Sequence, residues 1–352
     1  MTTGYSSQSL VIAPQWIGDA VMTEPLLRRL AGRGERLTVG ALPWVAPVYR
    51  LMPQVAEVIE FPFAHGGLQF KARRSLAKQL EGRFDTAYVC PNSLKSALLP
   101  FLASIPKRVG YLGEARVGLL THRLKNPPKD KRASMVGFYS ALSGDTDTAN
   151  DQPQLQLDSA EVDQALQQMG LQRAAYCVFA PGAEYGPAKR WPVAHFAELA
   201  RRLDRTVVLL GSDKEFALCN EIAAPVNAEQ PGKCLNLAGK ISLADAFRAI
   251  AAAKSTVSND SGLMHVAAAL GVNQVAIFGS SSPLHTPPLN AKAKVLWLKH
   301  DPAYRPPLDC APCFERVCPL GHTRCLGDIG ASDVLLHLQL ETLGLRGQPP
   351  NG

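Results

Sequence analysis

The stretch from Ser255 to Gly271, STVSNDSGLMHVAAALG, constrains the fold more than any other. A short run, Ser255-Thr-Val257, ends in the polar turn Ser258-Asn-Asp-Ser-Gly262. An apolar helical run from Leu263 to Leu270 follows and closes on Gly271. A strand–turn–helix unit of this kind aims several backbone N–H groups at one spot, and the helix dipole makes that spot positive. It suits a phosphate held without a metal. Ser261 and His265 are four apart and share a helix face. The plain alternative is a capped helix carrying a satisfied histidine.

The same unit recurs along the chain. Leu10–Ala13 reads as a strand, Pro14 to Asp19 as its turn, and Ala20 to about Leu30 as a helix ended by Gly32. Further strands are expected at Arg36–Leu42, Val58–Phe61, Thr86–Cys90 and Arg108–Tyr111, with helices near 69–80 and 94–103. Gly144 to Gln154 is polar and pattern-free, the approach to a linker. The alternation then restarts. Strands are expected at Tyr176–Ala180, Thr206–Leu210, Gln274–Phe278 and Val295–Leu298, and helices at Val193–Leu203, Leu243–Ala253 and about Ser332–Leu343. Strands alternating with helices imply parallel sheets covered on both faces. At 352 residues the chain exceeds one typical core. The expectation is therefore α/β, with two doubly wound domains at 1–155 and 156–330, then a helix and tail at 331–352. Ligands of such folds sit beyond the carboxyl ends of the strands. The polar turns fall there: Gly18-Asp19, Asn92-Ser93, Gly182 to Lys189, Gly211 to Glu215, Asn259 to Gly262 and Gly279 to Ser282. Two such edges facing one another would form a cleft.

Several function classes are excluded. No G-x-G-x-x-G follows a strand and no G-x-x-x-x-G-K-[ST] occurs, against a dinucleotide oxidoreductase and a P-loop NTPase. No stretch of about 18 apolar residues is present to span a membrane. The first residues lack the basic start and apolar core of a signal peptide, so a cytoplasmic protein is the expectation. The net charge is +7, and residues 101–132 carry nearly all of the excess. They hold Lys107, Arg108, Arg116, Arg123, Lys125, Lys129, Lys131 and Arg132 against Glu114 and Asp130. This run reads either as a solvated surface or as a patch for an anionic lipid, membrane or nucleic acid. Few aromatics accompany it, which weakens a single-stranded nucleic-acid role.

Three groups carry candidate chemistry. Asp19, where a helix begins, is either a first-turn carboxylate or a base that takes a proton from an acceptor hydroxyl. Lys189 closes a long loop before Trp191-Pro192 and can reach a diphosphate as a point charge, or can simply be solvated. Cys310, Cys313, Cys318 and Cys325, with His322 among them, suggest a structural metal knuckle, free thiols or disulfides. Cys90, Cys177, Cys219 and Cys234 read as buried thiols.

Four ordered motifs together resemble glycosyltransferase family 9, with a likeness running from about residue 9 to 345. They are Val11-Ile-Ala-Pro-Gln-Trp-Ile-Gly-Asp-Ala20, Pro91-Asn-Ser-Leu-Lys-Ser-Ala97, Pro181-Gly-Ala-Glu-Tyr-Gly-Pro-Ala-Lys-Arg-Trp-Pro192 and Ser258-Asn-Asp-Ser-Gly-Leu-Met-His-Val-Ala-Ala-Ala269. The resemblance implies a GT-B fold of two Rossmann-like domains, with acceptor on the N-terminal one and donor nucleotide on the C-terminal one. It implies inverting transfer that needs no metal cofactor. Heptose would pass from ADP-heptose to heptosyl-Kdo2-lipid A, the lipopolysaccharide inner core, at the inner face of the cytoplasmic membrane. No nucleic acid would take part. Carried over by motif, Asp19 would be the base and Lys189 would bind donor phosphate. Asp260, Ser261, Gly262 and His265 would line the donor site with Gly182 and Ala183, while Glu215 and Ile241 would contact the nucleoside. Lys107, Arg108, Arg116 and Arg123 would face the anionic acceptor. A carboxylate at Asp260 would repel a diphosphate, so Asp260 is assigned to a donor hydroxyl, a backbone cap or Lys189. The cysteine group is not general in the family and gains no role from it. Two rivals remain: another nucleotide-sugar enzyme of this architecture, such as a UDP-sugar transferase or epimerase, and a basic non-catalytic binding module.

Overall fold

The computed structural model describes residues 7–63, 67–128, 134–148 and 151–342. The chain divides into two compact units, Met1–Gln156 and Leu157–Gly352.

The first unit is built on a six-stranded sheet: β1 Ser7–Ile12, β2 Glu35–Ala41, β3 Val55–Glu60, β4 Thr86–Val89, β5 Lys107–Tyr111 and β6 His122–Leu124. Their order is β3-β2-β1-β4-β5-β6, and every pairing is parallel. The second unit repeats the plan with β7 Tyr176–Ala180, β8 Thr206–Leu209, β9 Cys234–Asn236, β10 Ser255–Asn259, β11 Gln274–Ile277 and β12 Ala293–Leu296. Its order is β12-β11-β10-β7-β8-β9, again all parallel. The chain reverses direction across each sheet beside its first strand, between β1 and β4 and between β7 and β10. Those two places are the topological switch points at which open α/β sheets bind ligands. The central strands are buried on both faces, which is why they read as unbroken apolar runs rather than alternating ones.

The α/β plan of two doubly wound units matches the expectation. Details differ for local reasons. The single helix expected after Asp19 is two, Ile17–Met22 and Glu24–Gly32, because Pro25 sits in the first turn of the second. The helix Ser159–Met169 was not expected, although Asp158 caps it by accepting from the Ala160 and Glu161 N–H groups and Gly170 ends it at φ 67°. Its exposed face is polar enough to merge with the preceding linker-like stretch. The short edge strand β6 was also missed, and β12 lies two residues earlier than expected. Gly144–Gln154 is not a free linker. Asp145 and Asp151 bond to Arg29 at 3.0 and 2.7 Å, holding the segment on the helix Glu24–Gly32. Residues 149–150 of that stretch lie outside the described residues.

Candidate active-site elements

The loops leaving β7, β8, β9 and β10 converge at one edge of the second sheet. Asn259, fully buried at the end of β10, is the tie: its Nδ2 donates to the Pro181 carbonyl at 2.6 Å, and its Oδ1 accepts from the Trp191 N–H at 2.9 Å. Both ends of the long loop after β7 are thereby fastened beside β10. That places Lys189 against Asp260, with Nζ donating to Oδ2 at 2.6 Å. Asp260 is 5% exposed and Lys189 18%, so the pair is largely out of water. Thr286 Oγ1 donates to the other Asp260 oxygen at 3.3 Å. Of the partners expected for Asp260, the structure shows Lys189. The carboxylate aligns the ammonium instead of presenting bare negative charge at the helix end.

The helix Gly262–Ala269 begins at Ser261, whose backbone is extended and whose side chain makes no capping bond. Among the described residues the Ser261 hydroxyl is buried without a hydrogen-bond partner, as are those of Ser258, Ser280 and Ser281 nearby in sequence at the ends of β10 and β11. The simple capped-helix alternative is therefore not what this turn does, and the first-turn N–H groups are left uncapped by the serine. His265, one turn on, is buried. Burial pushes its pKa down to about 4; Asp260 raises it and Lys189 lowers it. The imidazole is neutral at working pH.

Glycines allow the loops to meet. A Cβ on Gly182 would fall 1.6 Å from Glu215 Oε1, so the Glu215 carboxylate lies directly over that backbone. Glu215 also closes a capping box, accepting from the Ser212 N–H at 2.8 Å. Gly239 (φ 68°) approaches the Asp213 backbone, and its N–H donates to Gly211 at 3.0 Å. Ile241, half-buried, follows in the turn before the helix Leu243–Ala251. Ala183 is buried beside Gly182. The candidate donor residues on the second unit thus sit on adjoining loops at one sheet edge.

Asp19 lies on the first unit, in the first turn of Ile17–Met22, at the switch point beside β1. Tyr139 donates to its Oδ1 at 3.0 Å. The adjoining loop after β4 is held by Arg116, which sequence reasoning assigned to an anionic surface. That assignment is corrected. Arg116 has no exposed surface. Its guanidinium donates to the Pro91 carbonyl at 2.6 Å, to Asn92 Oδ1 at 2.7 Å and to the Tyr111 carbonyl. It is a strut, its charge solvated by two main-chain oxygens and the Asn92 side-chain oxygen. Arg108 is half-buried and donates to the Leu119 and Ile105 carbonyls. Lys107, Arg123 and Lys125 are exposed. Lys129, Asp130, Lys131 and Arg132 lie outside the described residues.

The four C-terminal cysteines line one cavity with His322, Ala188 and Ser280, and none is in a disulfide. Burial pushes the Cys325 thiol up to about 11, and the Cys310, Cys318 and Cys313 thiols add to it. Yet among the described residues no three His, Cys, Asp or Glu side chains converge as a metal would require. The metal-knuckle expectation is not met by this arrangement. What the segment does show is a brace: Ala188 N–H donates to the Arg316 carbonyl at 3.0 Å and Tyr185 OH to the Phe314 carbonyl at 2.7 Å, backing the loop that carries Lys189. Sequence reasoning missed Tyr139, Thr286, the roles of Asn259 and Arg116, and the hydroxyls of Ser280 and Ser281. The polar turns at Asn259–Gly262 and Gly279–Ser282 marked the places of Asn259, Ser280 and Ser281 but not what they bond.

Comparison with known proteins agrees with this geometry. Residues 73–323 match the model of glycosyltransferase family 9 (heptosyltransferase). The chain is 46% identical over 305 residues to lipopolysaccharide heptosyltransferase 2 of Escherichia coli K12, covering 82% of this chain and 87% of that one. It is 38% identical to lipooligosaccharide heptosyltransferase 2 of Haemophilus influenzae, covering 82% and 88%. Among solved structures, E. coli ADP-heptose lipopolysaccharide heptosyltransferase II superposes with a TM-score of 0.82 at 40% identity, covering 96% and 99% of the two chains. A family 9 glycosyl transferase from Veillonella parvula shares the fold, with a TM-score of 0.72 at 22% identity over 83% and 86%.

Proposed function

The chain belongs to glycosyltransferase family 9, and we propose that it works by inverting, metal-independent displacement. It is a glycosyltransferase that transfers heptose into the lipopolysaccharide inner core. The finer reading is that the donor is ADP-heptose, held on the second unit, and that the acceptor is heptosyl-Kdo2-lipid A, held on the first.

In this reading Asp19 takes the proton of the acceptor hydroxyl. The acceptor oxygen then bonds to the anomeric carbon from the face opposite the diphosphate. The bond from that carbon to the phosphate oxygen breaks, and ADP leaves with the electron pair. The Lys189 ammonium and the N–H groups opening Gly262–Ala269 meet the negative charge that develops on the diphosphate. Gly182 and Ala183 would line the donor site, and Glu215 and Ile241 would contact the nucleoside. The observation that carries the reading is the Lys189–Asp260 pair, 2.6 Å long and mostly buried at the switch point of the second sheet. It presents a fixed cation beside an uncapped helix end, which is what a leaving diphosphate without a metal needs.

Among the described residues no helix is long and apolar enough to cross a membrane. We place the enzyme in the cytoplasm, peripheral at the inner membrane, with Lys107, Arg123 and Lys125 as the exposed cations that would meet anionic lipid. Thermal shift with ADP-heptose, ADP and UDP tests the donor. Stabilisation by the ADP compounds is expected, and a response to UDP alone would reject the heptose donor.

A further inference from the structure

We propose that Tyr139 is a positioning residue for Asp19, fixing the carboxylate's rotation and favouring its ionised form so that it serves as the base. The inference rests on the reading of Asp19 given above. Tyr139 projects from the helix Met135–Ser140, is 4% exposed, and donates to Asp19 Oδ1 at 3.0 Å. Its own helix is anchored from the sheet: the Tyr111 ring stacks on Phe138 with centroids 3.8 Å apart, and Tyr111 OH donates to the Phe138 carbonyl at 2.8 Å. The donor is therefore held by β5, a different element from the helix that carries Asp19.

Three of the groups that face Asp19 from the packed elements are Tyr139, Tyr49 on the helix Ala46–Arg50, and Cys90 at the end of β4. All three are uncharged acids at working pH. Burial first, and the Asp19 charge after it, push Tyr139 and Cys90 well above their ordinary ranges, and burial does the same to Tyr49. Thr23 Oγ1 gives its proton to the Ala20 carbonyl, so Tyr49 donates to Thr23 at 3.0 Å and not to Asp19. The charged residues on the next helix face elsewhere: Glu24 accepts from Gln54 and the Gln154 N–H, Arg28 pairs with Glu24, and Arg29 pairs with Asp145 and Asp151. Loss of surrounding water favours the neutral form of a carboxylate, which is useless as a base. A donor to the ionised form opposes that shift, and a hydrogen bond to a charged group is the strongest kind a tyrosine makes.

The test is Tyr139→Phe in the full chain, with Asp19→Asn beside it and ADP affinity and urea midpoint measured for both. The phenyl ring keeps the packing and removes only the donor. We expect kcat to fall about ten- to a hundredfold. We expect the acid limb of the kcat/KM profile to move up by about one to two pH units. ADP affinity should be unchanged. A residue with a merely structural role would lower the urea midpoint and leave the acid limb in place, and that result overturns the proposal. If Asp19→Asn abolishes turnover while Tyr139→Phe leaves the limb unmoved, the base assignment stands and the positioning role fails. If Asp19→Asn keeps turnover, the base assignment fails and this inference with it.

Discussion

Single residues decide whether the chemistry is possible, and two of them carry separable predictions. Lys189→Ala removes the cation and leaves Asp260 buried with Thr286 as its remaining side-chain partner. ADP affinity should fall about tenfold or more, since a fixed charge on phosphate contributes roughly 1.5–3 kcal/mol; titration calorimetry reads it, and unchanged affinity would remove Lys189 from the donor site. His265 makes a pH prediction. Its folded pKa is near 4, below the 6.5 of an exposed histidine. Between those values the unfolded chain binds a proton that the folded chain does not, so stability falls as pH drops from about 6.5 toward 4. The loss is on the order of 3 kcal/mol at most. Urea midpoints of His265→Gln should lack that part of the acid dependence, and parallel curves for the two proteins would contradict it. Asp19 and Asp260 were legible as polar groups where an apolar run gives way to a helix, and Lys189 as the cation closing the long loop before Trp191-Pro192. Arg116 was not. Its charge count suggested surface, and nothing local told that oxygens of Pro91, Asn92 and Tyr111 would enclose it.

At the scale of elements, the loops matter more than the strands they leave. Asn259 fastens the loop after β7, and Glu215 lies over Gly182. Gly182→Ala must displace the Glu215 carboxylate and break its capping box, costing about 1 kcal/mol. Thermal or urea unfolding should show that loss, and Glu215→Ala in the same background should add little further; fully additive effects would show that the two do not meet. Arg116→Met should destabilise by about 3 kcal/mol, the loss expected when a buried charge network is broken and its carbonyl partners are left unpaired. The salt dependence of acceptor KM should not change, whereas a shallower dependence would return Arg116 to an anion-binding surface. Strand and helix order could be read because short apolar runs and polar turns alternate so regularly. The helix Ser159–Met169 and the split at Thr23 could not, since a mostly polar helix face resembles a linker and one proline decides where the first helix ends.

The whole molecule is a duplicated plan: two all-parallel six-stranded sheets in the same strand order, each with candidate residues at its switch point. The sequence carried this plan because each unit repeats one local grammar, and four motifs tied it to a family. Which loop lies over which could not be read, because Asn259, Arg116 and Tyr139 act across 68 to 120 residues or through main-chain oxygens with no composition signal. The proposed role of the exposed cations belongs to this scale. If Lys107, Arg123 and Lys125 draw an anionic acceptor, acceptor KM should rise steeply with ionic strength while donor KM stays nearly flat, and a flat acceptor response would leave them as ordinary surface. The most direct test of the account is transfer itself, with purified ADP-heptose and a core lipid carrying one heptose, followed by mass and anomeric configuration of the product. The account predicts a gain of one heptose with inverted configuration, in the presence of a chelator, and loss of product with Asp19→Asn. Retained configuration, or turnover that survives Asp19→Asn, would contradict it.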